Sequence, residues 1–337
     1  MLQPHWKTAL AIALCAAALS QRGLAQAPPP AILTVDVQNR VRYFQDTSDV
    51  SKFATNPDIT TPSASNNFVQ TVSIGDIVAI NGQPAKGTMT THTRSINLRP
   101  APNSGESIAD TNRSDLADYV FEILDGNSGT IGSIIGFGPG GGSAPPGAPS
   151  FVTQGNNAII GGTGAFLGAR GYLGQAVNAD TVPIRSASIT EDPANRRRFG
   201  GGRNFFVLQV IPMARPEILP VGSSPAIFHS DFTPVTAARP ARAGEVLIVK
   251  ASGLGPTRPG VNPGQPFPLD ASQAVNSPLD VSVNGQPAQV INAIGWPGLI
   301  DTYRVDFQVP DGIASGANAV QLAAAWIAGP SVNIQVQ

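Results

Sequence analysis

The stretch "NAIIGGTGAFLGARGYLGQA" (157–176) decides how this chain is read. Its GGTG opening resembles a phosphate-cradling loop. A dinucleotide fingerprint needs a strand, a tight glycine turn and a helix whose N-terminus meets the pyrophosphate. "AIIGGTG" offers the strand and the turn. Three residues separate Gly164 from Gly168, however, which is one too many for G-x-G-x-x-G. "ARGYLGQAV" (169–177) then carries two glycines and strand-like alternation where a helix should begin. The stretch therefore reads as strand, glycine turn, strand, with no nucleotide cofactor.

The neighbouring sequence agrees. "ILTVDVQ" (32–38), "FVQTVSI" (68–74), "DIVAIN" (76–81), "TMTTHTRSI" (88–96), "DYVFEIL" (118–124), "GTIGSIIGF" (129–137) and "NFFVLQVI" (204–211) are rich in Val, Ile, Thr and aromatic residues. Gly, Pro, Asn and Asp bound them, as strands require. "NGQP" (81–84) and "DGNSG" (125–129) are turn signals. No window of a dozen residues has a helical period outside the N-terminus. "FGPGGGSAPPGAPS" (137–150) reads as a Gly/Pro/Ser loop at the domain rim. "EDPANRRRFGGGRN" (191–204), with Arg196, Arg197, Arg198 and Arg203, reads as a solvated turn, since no aromatic platform accompanies the charges.

Composition sets the outer bounds. The chain has 337 residues, 42% hydrophobic and only 13% charged, with 36 Gly and 31 Pro. That favours two domains of short strands and many turns. Residues 1–25 read as a signal peptide: a short n-region with Lys7, an apolar run "TALAIALCAAALS" (8–20) too short to span a membrane, and cleavage after Ala25. The expected location is secreted, periplasmic or cell-surface, with no membrane span in the mature chain. Cys15, the only cysteine, leaves with the leader, so no disulfide or thiolate chemistry is expected. Lys7 and Arg22 leave too, so 19 basic groups face 22 acidic ones, a net charge of −3. Nothing in that balance recruits nucleic acid.

The glycine stretch matches another pattern. GGTG-x-F-x-x-A-R-G, from Gly161 to Gly171, resembles the signature of the dirigent proteins and, more loosely, of the allene oxide cyclases. "DYVFEILDGNSGTIGSIIGFGPG" (118–140) resembles the strand, turn and small-residue strand that precede that motif. The resemblance covers residues 31–213. It implies an all-β fold with an eight-stranded antiparallel barrel, a small apolar ligand in its lumen, self-association through the barrel, and guidance of cyclisation or coupling. A barrel of eight strands has room for packed side chains or one small ligand. Gly161, Gly162, Thr163, Gly164, Ala169 and Gly171 then shape a sharp strand-to-strand bend, and Phe166 plugs the barrel. Arg170, Asp36, Tyr172 and Phe166 are the ligand-binding candidates. Arg170 either forms a structural ion pair or points a fixed cation at a ligand. Asp36 shares the polar face of its strand with Ile32 and Thr34, facing either solvent or the pocket. Glu122 alternates against Tyr119, Phe121 and Ile123 and should face water.

Beyond a Pro-rich linker (214–226) a second strand series begins. "GLGPT" (253–257), "NGQPA" (284–288), Tyr303 with "VDFQVPDGI" (305–313) and the final "NIQVQ" (333–337) resemble a C-terminal module of bacterial secreted proteins. It implies an immunoglobulin-like, TIG-type sandwich over 227–337, with surface display or an extracellular partner as its role. Tyr303, Val305 and Phe307 should form one buried face.

Several chemistries lack their residues. Only His92 and His229 remain in the mature chain and no G-x-S-x-G occurs, so no hydrolase triad is visible. Two distant histidines without cysteine do not make a zinc site. "DTNRSDLAD" (110–118) has alternating oxygens but no central glycine or bidentate Glu for calcium. No metal or cofactor is expected, and whether the barrel catalyses anything stays open. The alternative is a filled barrel serving adhesion or structure.

Overall fold

Asn81 and Gly82 have φ of 51° and 75°, the double positive φ of a two-residue type I′ hairpin turn. They join β2 (Phe68–Ile80) to β3 (Gln83–Ile96), with Ile80 opposite Gln83. This hairpin is one step in a meander. In the computed structural model, which describes residues 29–46, 68–96, 114–140, 153–176 and 178–337, β1 (Ala31–Asp46) precedes it. β4 (Ser114–Leu124), β5 (Thr130–Gly140), β6 (Thr153–Gly164) and β7 (Arg170–Ala176) follow. A short β8 (Arg185–Ser188) and then β9 (Gly202–Ile211) complete the set. Consecutive strands pair antiparallel, β7 pairs β9, β9 pairs β1, and β1 pairs β2, which closes an eight-stranded antiparallel barrel. β8 lies outside the closure, parallel to the far half of β1.

The expected all-β class and eight-stranded antiparallel barrel are what the structure has. The segments 68–74 and 76–81 are one strand running through Gly75, and β5 continues to Gly140 into the predicted loop. Residues 141–150 of that loop, residues 110–113 of the calcium-like stretch, and the leader lie outside the described residues.

Alternation along each strand sends one row of side chains into the barrel. Toward one end these are Leu33, Val35, Val37, Ile77, Ile80, Met89, Phe121, Ile123, Ile134, Ile159, Leu173, Leu208 and Val210, each no more than 3% exposed. Toward the other end the inward row turns polar. A bulge in β1 makes part of that change. Asn39 takes φ of 51° and the register slips between Val37 and Arg40. The slip swaps faces, as it must where the side-chain period is two. Arg40 then points inward, while Val41 and Tyr43 turn out to pack on Ala187 and Ile74.

Residues from 217 onward form a curled sheet around its own core. Its main strands are Val246–Ser252, Leu279–Val283, Gln286–Gly295, Tyr303–Gln308, Gly316–Ala324 and Val332–Val336. Gln286–Gly295 pairs first with Leu279–Val283 and then with Tyr303–Gln308, which folds the sheet back on itself. Tyr303, Val305 and Phe307 are 4%, 0% and 0% exposed within that core. In the Pro-rich stretch, Glu217–Ile218 pairs with the strand Val246–Ser252. Among the described residues no helix is long and apolar enough to cross a membrane.

Candidate functional site

The end of the barrel that carries the β2–β3, β4–β5 and β6–β7 turns abuts the second sheet. The hairpin tip Ala325-Trp326 makes the junction. Ala325 and Ile327 are 0% and 2% exposed and belong to the barrel's apolar core, with Trp326 packed against it. The Trp326 Nε1–H donates to Gln83 Oε1 at 3.0 Å. Asn276 Nδ2 donates to the Thr130 carbonyl, and Arg258 Nη1 to the Asn127 carbonyl, both at 3.2 Å.

These contacts leave a cleft of about 420 Å³ at the junction, inside the size range of small-molecule sites. Its walls are largely apolar: Pro84, Ala85, Leu124 and Ile131 from the barrel, and Pro278 and Trp326 from the second sheet. Few polar groups converge there. Lys86 donates to the Gly126 carbonyl at 2.5 Å. Asp125 spends Oδ1 on the backbone N–H groups of Asn127 and Gly129, at 2.8 and 2.5 Å, which builds the β4–β5 turn. Asn276 sits on the opposite wall. An indole face, aliphatic walls and one ammonium can hold a flat apolar molecule with one acceptor. The polar side chains from the barrel are already engaged, Lys86 and Asp125 with the turn and Gln83 with Trp326, so the cleft has the means to bind rather than to move protons.

Phe166 is 1% exposed and closes the barrel's apolar end from the turn after β6. The glycines of the motif differ in what they do. A Cβ on Gly162 would stand 2.3 Å from the Phe166 carbonyl oxygen and 2.7 Å from that of Ser133. Gly164 takes φ of 59°, and Gly171 has φ of 141° with the Gln209 carbonyl oxygen 1.8 Å from where a Cβ would be. Gly161 would meet nothing within 4 Å. Thr163 shares a 2.7 Å hydroxyl bond with Ser133 across β5 and β6, and Ala169 is fully buried.

Arg170 is exposed, and its guanidinium donates to the Ile160 and Ala169 carbonyls at 2.5 and 2.9 Å. It ties the β6–β7 turn through backbone oxygens, not through a carboxylate or the lumen. Tyr172, 41% exposed, stands on the outer wall. Asp36 is on the outer wall too, and Arg203 holds both its oxygens, at 3.1 and 2.7 Å. The four ligand candidates therefore do not converge. Phe166 lies inside the barrel, and the other three lie on its surface. Glu122 is exposed, as its alternation requires. His92 lies on the outer wall, 3.5 Å from Asp118. His229 is a buried tie, with Nδ1 2.6 Å from Glu245 Oε1 and Nε2 3.2 Å from the Arg239 carbonyl.

The arginine-rich segment is exposed, as its sequence suggests, but it is also pinned to the barrel. A one-turn helix, Asn195–Arg198, lies against the barrel. Arg196 donates to Asp76 at 2.6 Å, Arg197 grips both its oxygens at 2.9 Å, and Asn39 adds a third donor at 3.0 Å. Burial pushes the Asp76 carboxyl up, but the bonds from Arg197, Arg196 and Asn39 outweigh it and hold it at about 2. Among the described residues no three His, Cys, Asp or Glu side chains gather as a metal site.

Sequence reasoning missed the cleft because its walls meet across residues as far apart as Gln83 and Trp326, 243 positions in sequence. One local signal existed. A two-residue hairpin turn normally takes Asn or Gly, and "AAAWIAG" (323–329) puts Ala-Trp there instead.

No protein-family model matches the sequence, and no curated protein matches it. Among solved structures, one described as a polysaccharide lyase is similar over 91% of this chain, at 8% identity and a TM-score of 0.18. The chain spans 40% of that protein's length. An overlap that slight fixes neither a shared fold nor a shared activity.

Proposed function

We propose that this is an exported binding protein for a small, largely apolar molecule, taken up in the cleft between barrel and second sheet. The observation that carries the reading is the 420 Å³ apolar cleft walled by Trp326, with Lys86 as its one cationic group among the described residues. The apolar end of the barrel is packed with side chains, so the ligand site moves from the lumen to the junction. The leader-like first 25 residues support export, by secretion or to the periplasm or cell surface. The GGTG-x-F-x-x-A-R-G turn and the barrel support a dirigent-like or allene oxide cyclase-like ancestry. The curled sheet supports an immunoglobulin-like module that displays the barrel.

The test is native mass spectrometry of the chain from residue 26, with organic extraction and a thermal-shift panel of lipids and phenols. A stoichiometric small molecule, bound at least tenfold more weakly by Trp326→Ala and equally well by Arg170→Ala, is the expected result. Retention of full affinity in Trp326→Ala overturns the cleft as the site. The second reading, a filled barrel serving adhesion or structure, has Phe166 at 1% exposure in its favour. A clean apo mass with no thermal shift would select it.

A further inference from the structure

The inward row at the barrel end remote from the cleft is a continuous polar belt. Every barrel strand but β5 contributes a polar side chain to it. Ser73 on β2 stands directly opposite Thr91 on β3, and Thr91 opposite Tyr119 on β4. Tyr119 faces Gly136 on β5, which adds no side chain. On the other side of the barrel β6, β7, β9 and β1 carry Asn157, Gln175, Asn204 and Arg40, and Arg40 reaches across to Gln175 and Asn204. Ser73, Thr91, Asn157, Asn204 and Arg40 are each no more than 4% exposed.

Arg40 is the anomaly in this belt. It is buried, yet among the described residues its only side-chain hydrogen-bond partners are neutral: Gln175 Oε1 and Asn204 Oδ1, both at 3.3 Å from Nη1. Among the described residues its Nε has no hydrogen-bond partner, and neither has Oδ1 of Asn157 on β6. The guanidinium lies over the Phe206 ring, 5.2 Å from its centroid. Burial lowers its pKa to about 10, Tyr119 opposes that shift, and the neighbouring Arg42 adds to it. A buried cation without a carboxylate is a costly thing to keep, and buried polar atoms without partners are costly too. Proteins keep such groups where something else supplies the counter-charge.

We propose that this belt is a binding site for a small hydroxycarboxylate, with the carboxylate on Arg40 and a hydroxyl donating to Asn157. The complementarity is specific. The planar guanidinium fork matches two carboxylate oxygens. An orphaned amide oxygen asks for a donor, which a plain carboxylate lacks. Around them stand amides and hydroxyls that can give or take a hydrogen bond, with the Phe206 ring beneath the guanidinium. The site is separate from the cleft and does not depend on it.

The experiment titrates the chain from residue 26 with glycolate, acetate and the neutral isostere glycolamide, against sodium chloride at matched ionic strength. Thermal shift and ligand-observed NMR report binding. The expected order is glycolate over acetate, with glycolamide and chloride inert. Arg40→Met should abolish the glycolate shift. Without added anion it should also melt at or above the wild-type temperature, because it removes a buried charge that has no counter-ion among the described residues. A purely structural arginine predicts the opposite, a lower melting temperature. Equal responses to glycolate, glycolamide and chloride in the wild type overturn the proposal whether or not the variant folds. A destabilised Arg40→Met overturns it as well. Loss of cleft binding in Trp326→Ala with the glycolate response intact would separate the two sites.

Discussion

At the scale of single residues, Asp76 shows how a surface feature becomes structural. It is one carboxylate under two arginines and an asparagine, with a side-chain exposure of 11%. Its native pKa of about 2 lies below the usual value of 3.8. A depressed carboxylate stabilises the fold above its unfolded pKa, and that contribution is lost as pH falls from about 4 toward about 2. Asp76→Asn should therefore cost about 2 kcal/mol at neutral pH, since it strands Arg196 against the barrel. It should also flatten the acid limb of urea-unfolding stability between pH 4 and 2. An unchanged acid limb would mean the arginines do not hold the carboxylate in solution. None of this was legible beforehand. The local sequence shows only four arginines in a Gly-rich stretch, and their partner lies 120 positions earlier. The motif glycines were legible as a group but not one by one. Gly162→Ala should cost more than about 3 kcal/mol, because backbone oxygens occupy the space its Cβ needs. Gly161→Ala should change stability by less than about 0.5 kcal/mol in the same unfolding experiment. Equal effects would show that the turn can shift to admit either.

At the scale of elements, the hairpin tip Ala325-Trp326 is the strained piece. Both residues take positive φ, 50° and 63°, in a turn that favours Asn and Gly. Bulky residues held in that region cost about 1–3 kcal/mol each and persist where the surroundings repay the strain. Here the repayment is visible, because Ala325 is fully buried against the barrel and the Trp326 indole bonds to Gln83. Replacing the pair with Asn-Gly should relax the hairpin and weaken the junction together. In hydrogen exchange, amides of the barrel floor near Gln83 and Ile131 should exchange faster, and those of Gly316–Ala324 should not. Faster exchange in both places would mean the tip supports its own sheet and not the junction. The strands themselves were readable from alternation and turn residues, which act over a few positions. The β1 bulge was not, since Asn39 looks like any strand asparagine until the register around it is known. That bulge is what puts Arg40 into the lumen.

At the scale of the whole molecule, the barrel is stoppered at one end twice over, by Phe166 from within and by Ala325 and Ile327 from the second sheet. A core shared in this way couples the two units, because neither can expose the junction without uncovering apolar surface of the other. The full chain should then unfold in one calorimetric transition, with measured enthalpy equal to the van't Hoff value. Trp326→Ala removes the indole from the shared wall and should cost the barrel about 2 kcal/mol. It should split the single peak into two, with the barrel melting first, since the second sheet keeps its own core around Tyr303, Val305 and Phe307. Gln83→Ala deletes the acceptor of the indole N–H, so a double-mutant cycle should give non-additive losses. Two transitions already present in the wild type would mean the units are merely adjacent, and the cleft between them would then open and close without thermodynamic consequence. One transition would mean that a ligand filling the cleft stabilises both units at once, so its affinity could be read from the shift of either.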